Sequence, residues 1–278
     1  MRPPPLRPRP LRMFGWRTAL TAVVLSLLLS AACSDGTVRI AFQPAEGGRY
    51  GYVIDVDSET QTSLEGQSPT RSENKFTIGA EHLVQSTGPD GSEVDVTLTT
   101  ERGSSRQLLV RLDRAAQLTE VIEVEGLPAD VLGELGLSEI FPAAVAAPPT
   151  GELAPGATWK IDDPVQVTGS PRERLVGTGR LAELDVRDGR RVAVVIATYR
   201  LPVSRRTEGE NFVREFEGAQ VTRSTTTYDL ADGSVLAAEA VTSGEFIVSL
   251  TPPGDEEGPA LRGRLEVVVR SRTERVGS

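Results

Sequence analysis

The chain has 278 residues, of which 38% are hydrophobic and 25% charged, and its net charge is −9. This acidity argues against nucleic-acid binding, because phosphate backbones bind basic surfaces. A single Cys excludes an internal disulfide, and a single His excludes the imidazole clusters of most catalytic zinc sites. We therefore expect no metal site and no cofactor.

The N-terminus has the pattern of an export signal. Residues 2–17 contain five arginines and no acid, and they lead into Thr18–Ala32, an almost unbroken apolar run that ends in small residues. The run is shorter than the roughly 20 residues that a membrane-spanning helix needs. This order predicts a signal peptide over residues 1–32.

The apolar run ends at the only cysteine of the chain. Leu29-Ser30-Ala31-Ala32-Cys33 resembles the lipobox of bacterial lipoproteins, although Ser30 stands where that family usually has Leu. The resemblance implies lipid attachment at Cys33, a short tether over residues 33–36, and anchoring to the cell membrane or outer membrane, facing the periplasm or the exterior. The alternative is ordinary secretion with a free thiol at Cys33.

Export would leave a strongly acidic protein. Residues 1–32 hold five of the 30 basic residues and none of the 39 acidic ones, so the remaining 246 residues carry a net charge of −14. Such a charge disfavours contact with anionic lipid head groups. We expect the body to project from the membrane, with the acyl chains alone in the bilayer.

Period-two alternation dominates the rest of the chain. Val94, Val96 and Leu98 alternate with polar residues, as do Leu265, Val267 and Val269, and this pattern predicts half-buried antiparallel strands. Similar runs lie at residues 38–42, 50–57, 75–86, 107–113, 118–124, 180–186, 192–203, 222–229, 235–241 and 245–250. The predicted fold is all-β and mainly antiparallel, either a curved half-barrel or two similar β lobes, with one short linking helix.

Turn signals join these strands in sequence order. Asp90-Gly91, Asp188-Gly189 and Asp232-Gly233 each stand between strand-like runs and predict tight hairpins. The run over residues 191–203 is apolar on both parities, which predicts a strand that is covered on both faces near the middle of a sheet.

One segment has a helical pattern. Residues 128–141 begin with Pro and an acid, and Val131, Leu132, Leu135, Ile140 and Phe141 fall on a common apolar side. Residues 142–155 are rich in Pro and Ala and predict a connector between an N-terminal lobe (37–141) and a C-terminal lobe (156–278). The two lobes share hairpin patterns. Either an internal duplication or the small number of sequence patterns that form hairpins would explain this similarity.

Two groups of residues are candidates for chemistry. His82 alternates with Phe76, Ile78 and Ala80, so a packed interior imidazole is favoured over a catalytic base, and we expect no catalytic residues. The carboxylates of Asp55, Asp57 and Glu59 share one strand face. Without converging carbonyl groups, such a row is typical of a solvated face rather than a calcium site.

The remaining hypothesis is an apolar ligand cavity lined by Val131, Leu135, Ile140, Phe141 and Trp159. A filled core is the competing interpretation, and the Val, Leu and Ala content favours it.

The lipobox, the long β chain and the element around Trp159 together resemble uncharacterised bacterial lipoproteins with a β domain of unknown function. The chain is also loosely similar in architecture to the LolA and LppX type of lipid carriers. The likeness implies a non-enzymatic envelope lipoprotein that binds a lipid or another apolar small molecule. The alternatives are a structural lipoprotein that contacts another envelope protein and, third, a hydrolase.

Overall fold

The computed structural model describes residues 36–114, 118–124, 127–128, 148–165, 173–208, 213–251 and 261–277. Every regular element within these ranges is a β-strand. The strands are β1 (Arg49–Leu64), β2 (Thr70–Gly88), β3 (Gly91–Thr100), β4 (Ser105–Leu112), β5 (Leu118–Val124), β6 (Leu127–Pro128), β7 (Thr158–Val165), β8 (Glu173–Arg187), β9 (Arg190–Glu208), β10 (Val213–Asp229), β11 (Val235–Thr251) and β12 (Leu261–Val276).

The twelve strands form one antiparallel sheet in the order β6-β5-β4-β3-β2-β1-β12-β11-β10-β9-β8-β7. The sheet therefore consists of two meanders, β1 to β6 and β7 to β12, which are joined where β1 pairs with β12. Apart from β6 and β7, consecutive strands are neighbours throughout, and β6 and β7 form the two edges. The prediction of an all-β antiparallel fold is confirmed.

All three predicted Asp-Gly turns lie at hairpins, but only Asp188-Gly189 is the two-residue turn itself. The β2–β3 turn is Pro89-Asp90, with Gly91 as the first residue of β3, and residues 230–234 connect β10 to β11. Asp188 and Gly189 both have positive φ, 50° and 76°, at the β8–β9 turn, as a two-residue hairpin of this kind requires. Gly233 has a φ of 71° at the β10–β11 turn, and a Cβ atom there would overlap the carbonyl oxygen of Ala41. Glycine at position 233 thus lets this hairpin lie directly against the chain that precedes β1.

The segment that precedes β1 ties the two meanders together. Val38 pairs with Leu153 in an isolated bridge, the Phe42 amide donates to the Arg114 carbonyl at 2.7 Å, and the Gln43 amide donates to the Asp232 carbonyl at 2.8 Å. The predicted strand over residues 38–42 is thus limited to one bridge.

A single large core forms on one face at one end of the sheet. It contains residues of β1 to β4 together with residues of β8 to β11, and Val38, Ile40, Phe42 and Leu153 pack into it. Register shifts at Val84/Ser86, Leu181/Glu183 and Thr227/Tyr228 mark bulges, which bend strands and curve a sheet around its core. Thr37–Ser278 therefore forms one compact unit.

Three predictions about elements have different outcomes. The predicted helix over residues 128–141 falls outside the described residues except for Pro128, which ends β6. The predicted strands 235–241 and 245–250 are one continuous strand, β11. In β9, Val192 to Val195 are all buried, but Ile196 is 38% exposed and the strand then alternates; it lies third from the β7 edge rather than at the centre.

Candidate apolar site on the inner face of the sheet

Strand register assigns each side chain to one of two faces. Residues directly opposite each other in an antiparallel pair project to the same side. We call the side that carries the core residues Ile54, Ala238 and Val195 the inner face and the opposite side the outer face. Every second residue along a strand projects to the same side. The inner face therefore extends beyond the core toward the other end of the long strands.

Past the core, the inner face continues as a strip of aliphatic and aromatic side chains. Gly218 lies between Val203 and Phe246 in register, and Phe246 lies opposite Leu265. The inner strip is half-buried in the folded chain. It consists of Val203, Phe216, Phe246, Leu265, Val267 and Val269.

The floor of this strip is flat because an aromatic ring covers two glycines. A Cβ atom at Gly244 would lie 2.6 Å from Phe246 Cε2, and one at Gly218 would lie 2.9 Å from Phe246 Cδ1. The ring therefore lies directly on the backbone of its own strand and of β10. Covering glycines with aromatic rings protects backbone that would otherwise be exposed in a sheet.

Trp159 makes the same kind of contact near the β7 edge. It pairs with Gly179, whose Cβ position its indole ring occupies. Trp159 packs against the large core and against a smaller buried cluster, which consists of Ile161, Leu175, Ala197, Tyr199 and Leu201. Within the described part of the chain, its buried Nε1 has no hydrogen-bond partner. Among the predicted lining residues, only Trp159 is described. Cys33, Val131, Leu135, Ile140 and Phe141 lie outside the described ranges.

A band of hydroxyl groups adjoins the inner strip. Thr222 of β10 and Thr242 of β11 form a side-chain hydrogen bond of 2.8 Å across the strands. Ser224, Thr226 and Thr273 continue the band and are buried. An apolar strip beside a hydroxyl band is chemically suited to an amphiphile, with its tail on the strip and its polar group on the hydroxyls.

His82 lies on the inner face within the core end of the sheet. Its ring packs against Tyr52 with centroids 4.9 Å apart. Burial lowers the pKa of His82 to about 4, so the imidazole is neutral near pH 7. This environment is that of a packed aromatic ring, in line with the interpretation that the alternation favoured.

The row of carboxylates on β1 is already satisfied on the outer face. Thr77 donates to Asp55 at 2.6 Å, Lys75 pairs with Asp57 at 2.9 Å, and Arg71 pairs with Glu59 at 3.0 Å. In the described ranges, no group of His, Cys, Asp and Glu could hold a metal ion.

A groove of 640 Å³ lies beside this row. Its charged lining alternates in sign across the strands, with Lys75, Arg270 and Arg272 facing Asp57, Glu239 and Glu101. An open groove of this composition is unlike the dry cavity that an acyl chain requires. The groove is therefore a poor candidate for the predicted apolar site.

Sequence reasoning missed Phe216 and Phe246, the two aromatic residues of the inner strip. The segments Phe216-Glu217-Gly218 and Gly244-Glu245-Phe246 are mirror images in the sequence, and direct antiparallel alignment of them would place ring opposite ring. The observed register differs by two residues and places Gly218 opposite Phe246 and Phe216 opposite Val248, so the sequence alone did not reveal this contact.

The comparisons give this chain no family. No family model matches it, and no curated protein matches it. Among the residues with described structure, no helix is long and apolar enough to cross a membrane.

Proposed function

We propose that the chain is a non-enzymatic lipoprotein of the cell envelope, anchored through Cys33, whose inner face binds a lipid or another apolar ligand. The lipobox resemblance at Leu29–Cys33 supports the anchor. The inner strip supports the ligand, and it is the observation that carries this proposal.

The inner strip supports ligand binding because it lies beyond the core, where the folded chain covers its side chains only in part. The core at the other end of the sheet closes over its side chains, several of which are almost fully buried, such as Ile54, Leu108 and Leu181. In contrast, Phe216 and Phe246 lie past the core and remain half-buried. Half-buried aromatic rings on a curved sheet gain stability when an apolar ligand removes their remaining surface from water.

The hydroxyl band refines the ligand class. Thr242 is the half-buried member of the hydroxyl band and offers a hydroxyl beside the inner strip, so the site favours an amphiphile with a neutral or hydroxyl-rich polar group over a pure hydrocarbon. We expect the tail to lie across Phe246 and Val267, with the polar group toward Thr242.

The anchor is tested by the mass of the exported protein. We expect the native product to begin at Cys33 and to carry the added mass of acyl chains, and a Cys33→Ser variant to lack that mass. A product that begins at another residue, or an unmodified Cys33, contradicts the anchor and leaves a secreted protein.

The ligand is tested by native mass spectrometry of protein gently extracted from membranes. An adduct of lipid mass is the expected result. A bare polypeptide bound to a stoichiometric protein partner would instead support the structural alternative.

The site itself is tested with a dansyl-labelled undecanoic acid, using energy transfer from Trp159, the only Trp after residue 32. We expect Phe246→Ala to weaken binding about tenfold, because the ring supplies much of the apolar contact. Ile247→Ala is the matched control, since Ile247 is the next residue, lies on the outer face and is 62% exposed. Equal affinity for the two variants would contradict a site on the inner strip.

A further inference from the structure

The outer face of β8, β9 and β10 carries a regular array of exposed side chains. Val176 pairs with Arg200, Thr178 with Thr198, and Arg180 with Ile196; β10 continues these rows with Val221, Arg223 and Thr225. All nine side chains are exposed. We call this array the outer patch; it consists of Val176, Thr178, Arg180, Ile196, Thr198, Arg200, Val221, Arg223 and Thr225.

The outer patch is cationic although the chain is acidic. It contains three arginines, three aliphatic residues, three threonines and no acid. Within the residues that the structure describes, Arg180, Arg200 and Arg223 form no ion pair and no side-chain hydrogen bond. Their positive charge is therefore available to an external anion.

Three of the acids that border the outer patch lie close to other arginines. Asp162 of β7 pairs with Arg174 at 2.7 Å, Glu183 of β8 lies 3.9 Å from Arg187, and Glu239 of β11 lies 4.0 Å from Arg272. Lys160 of β7 lies opposite Thr178, is exposed, and extends the positive surface to the edge of the sheet. The outer patch is thus a local region of positive potential on the sheet.

The spacing of the arginines suits several anions in a plane. Neighbouring strands are about 4.8 Å apart and alternate residues about 6.7 Å apart, so the Cα atoms of Arg200 and Arg223 are about 8 Å apart and those of Arg180 and Arg200 about 14 Å apart. This span is wider than one phosphate group. Threonine hydroxyls between the arginines add hydrogen-bond donors for phosphate oxygens.

The composition favours a lipid surface over a protein partner. Protein interfaces depend on aromatic anchors such as Trp and Tyr, and the outer patch has none. A peptide that binds a sheet commonly adds to an edge strand, whereas the outer patch lies on a face and crosses three strands. Arginines surrounded by short exposed aliphatic side chains match the phosphate layer of a bilayer, where both find partners.

We propose that the outer patch docks the body onto anionic phospholipid head groups. The proposal rests on the proposed envelope location, which places the protein next to a bilayer. It departs from the expectation that the net charge of −14 after residue 32 keeps the body away from anionic lipid. At about 0.1 M salt, charges act only within a Debye length of about 10 Å, so the local patch outweighs acids elsewhere on the body.

The test uses the chain from residue 33 onward with Cys33→Ala, so that no acyl chain contributes to binding. Sedimentation with vesicles of equal parts phosphatidylglycerol and phosphatidylcholine measures binding at 0.1 M salt. We expect binding to these vesicles, loss of binding at 0.5 M salt, and none to pure phosphatidylcholine. The triple variant Arg180→Gln, Arg200→Gln, Arg223→Gln is expected to bind about 100-fold more weakly, since each arginine near an anionic surface contributes about fivefold.

A second triple variant supplies the matched control. Arg49, Arg102 and Arg262 are exposed and, among the described residues, form no ion pair, so their replacement by Gln changes the net charge equally outside the outer patch. This control is expected to bind as the parent does. Equal losses in both triples, equal binding to neutral vesicles, or no binding by the parent would overturn the proposal. The protein used in this vesicle experiment lacks Cys33, so its binding does not depend on lipid attachment. If Cys33 of the natural protein proved unmodified, the proposed anchor would fail, but the vesicle-binding result would stand.

Discussion

Glycines beneath aromatic rings shape the inner face at the scale of single residues. Gly179 lies under Trp159, and Gly218 and Gly244 lie under Phe246. The places of the three hairpins were predictable because the Asp-Gly signal is confined to adjacent residues, although only Asp188-Gly189 forms the turn itself. The contact between Gly218 and Phe246 was not, since it depends on the register between β10 and β11, which no short stretch of sequence contains.

At the same scale, His82 makes the stability depend on pH. Burial lowers its pKa to about 4, whereas an unfolded chain binds the proton near pH 6.5. The contribution of the neutral imidazole is complete above pH 6.5 and is lost as the pH falls toward 4. We expect His82→Leu to reduce the difference in unfolding free energy between pH 7 and pH 5 by about 2 kcal/mol, measured by urea denaturation.

The paired comparison removes the effect of carboxylates, which titrate in both proteins. A His82→Leu variant whose stability changes with pH as steeply as that of the parent would show that His82 accepts a proton equally well in both states.

At the scale of elements, the sequence pattern predicted where strands occur but not how long they are. Alternation identified the part of β1, β2 and β10 that packs in the core. The half of each strand farther from the core is rich in Thr, Ser, Glu and Arg and has no period-two apolar pattern. Those halves are strands because neighbouring strands satisfy their backbone groups, on both sides in β1 and β10 and on the β1 side in β2. Tertiary pairing therefore extends strands beyond what side-chain pattern predicts.

β12 is the element on which the joined sheet depends. It lies between β1 and β11 and pairs with both along nearly its whole length. We expect a chain that ends at residue 260 to lose the cooperative urea transition, because the two meanders then share no strand pairing. A chain lacking only residues 277–278, which follow β12, should unfold as the parent does. Retention of a cooperative transition by the shorter chain would contradict this dependence.

At the scale of the whole molecule, both meanders contribute to one core. Leu108 and Val110 of β4 belong to the same cluster as Leu181 of β8 and Val195 of β9. Composition and alternation predicted the β class, but they left one sheet and two lobes equally open. The choice depends on the pairing of β1 with β12, between residues that lie from 199 positions apart (Leu64 and Gly263) to 225 positions apart (Gly51 and Val276).

Because the two meanders share this core, we expect a destabilising substitution in one meander to lower the unfolding midpoint of the other as well. Leu108 of the first meander is 1% exposed, and Leu108→Ala should cost about 3 kcal/mol. We expect the urea midpoint followed by Trp159 fluorescence, a probe in the second meander, to fall together with the midpoint followed by circular dichroism. Leu109→Ala, at a half-buried neighbour on the outer face, should lower both midpoints less. A Trp159 midpoint that stays unchanged in Leu108→Ala would indicate two independent lobes.

The central position of the last strand has a consequence for biosynthesis. A ribosome makes β12 after the other eleven strands, so the edges of β1 and β11 stay unpaired until β12 is made. Open edges of this kind recruit other chains and promote aggregation. We therefore expect a chain that is terminated before residue 261 to expose both edges and to aggregate rather than to form a smaller folded product.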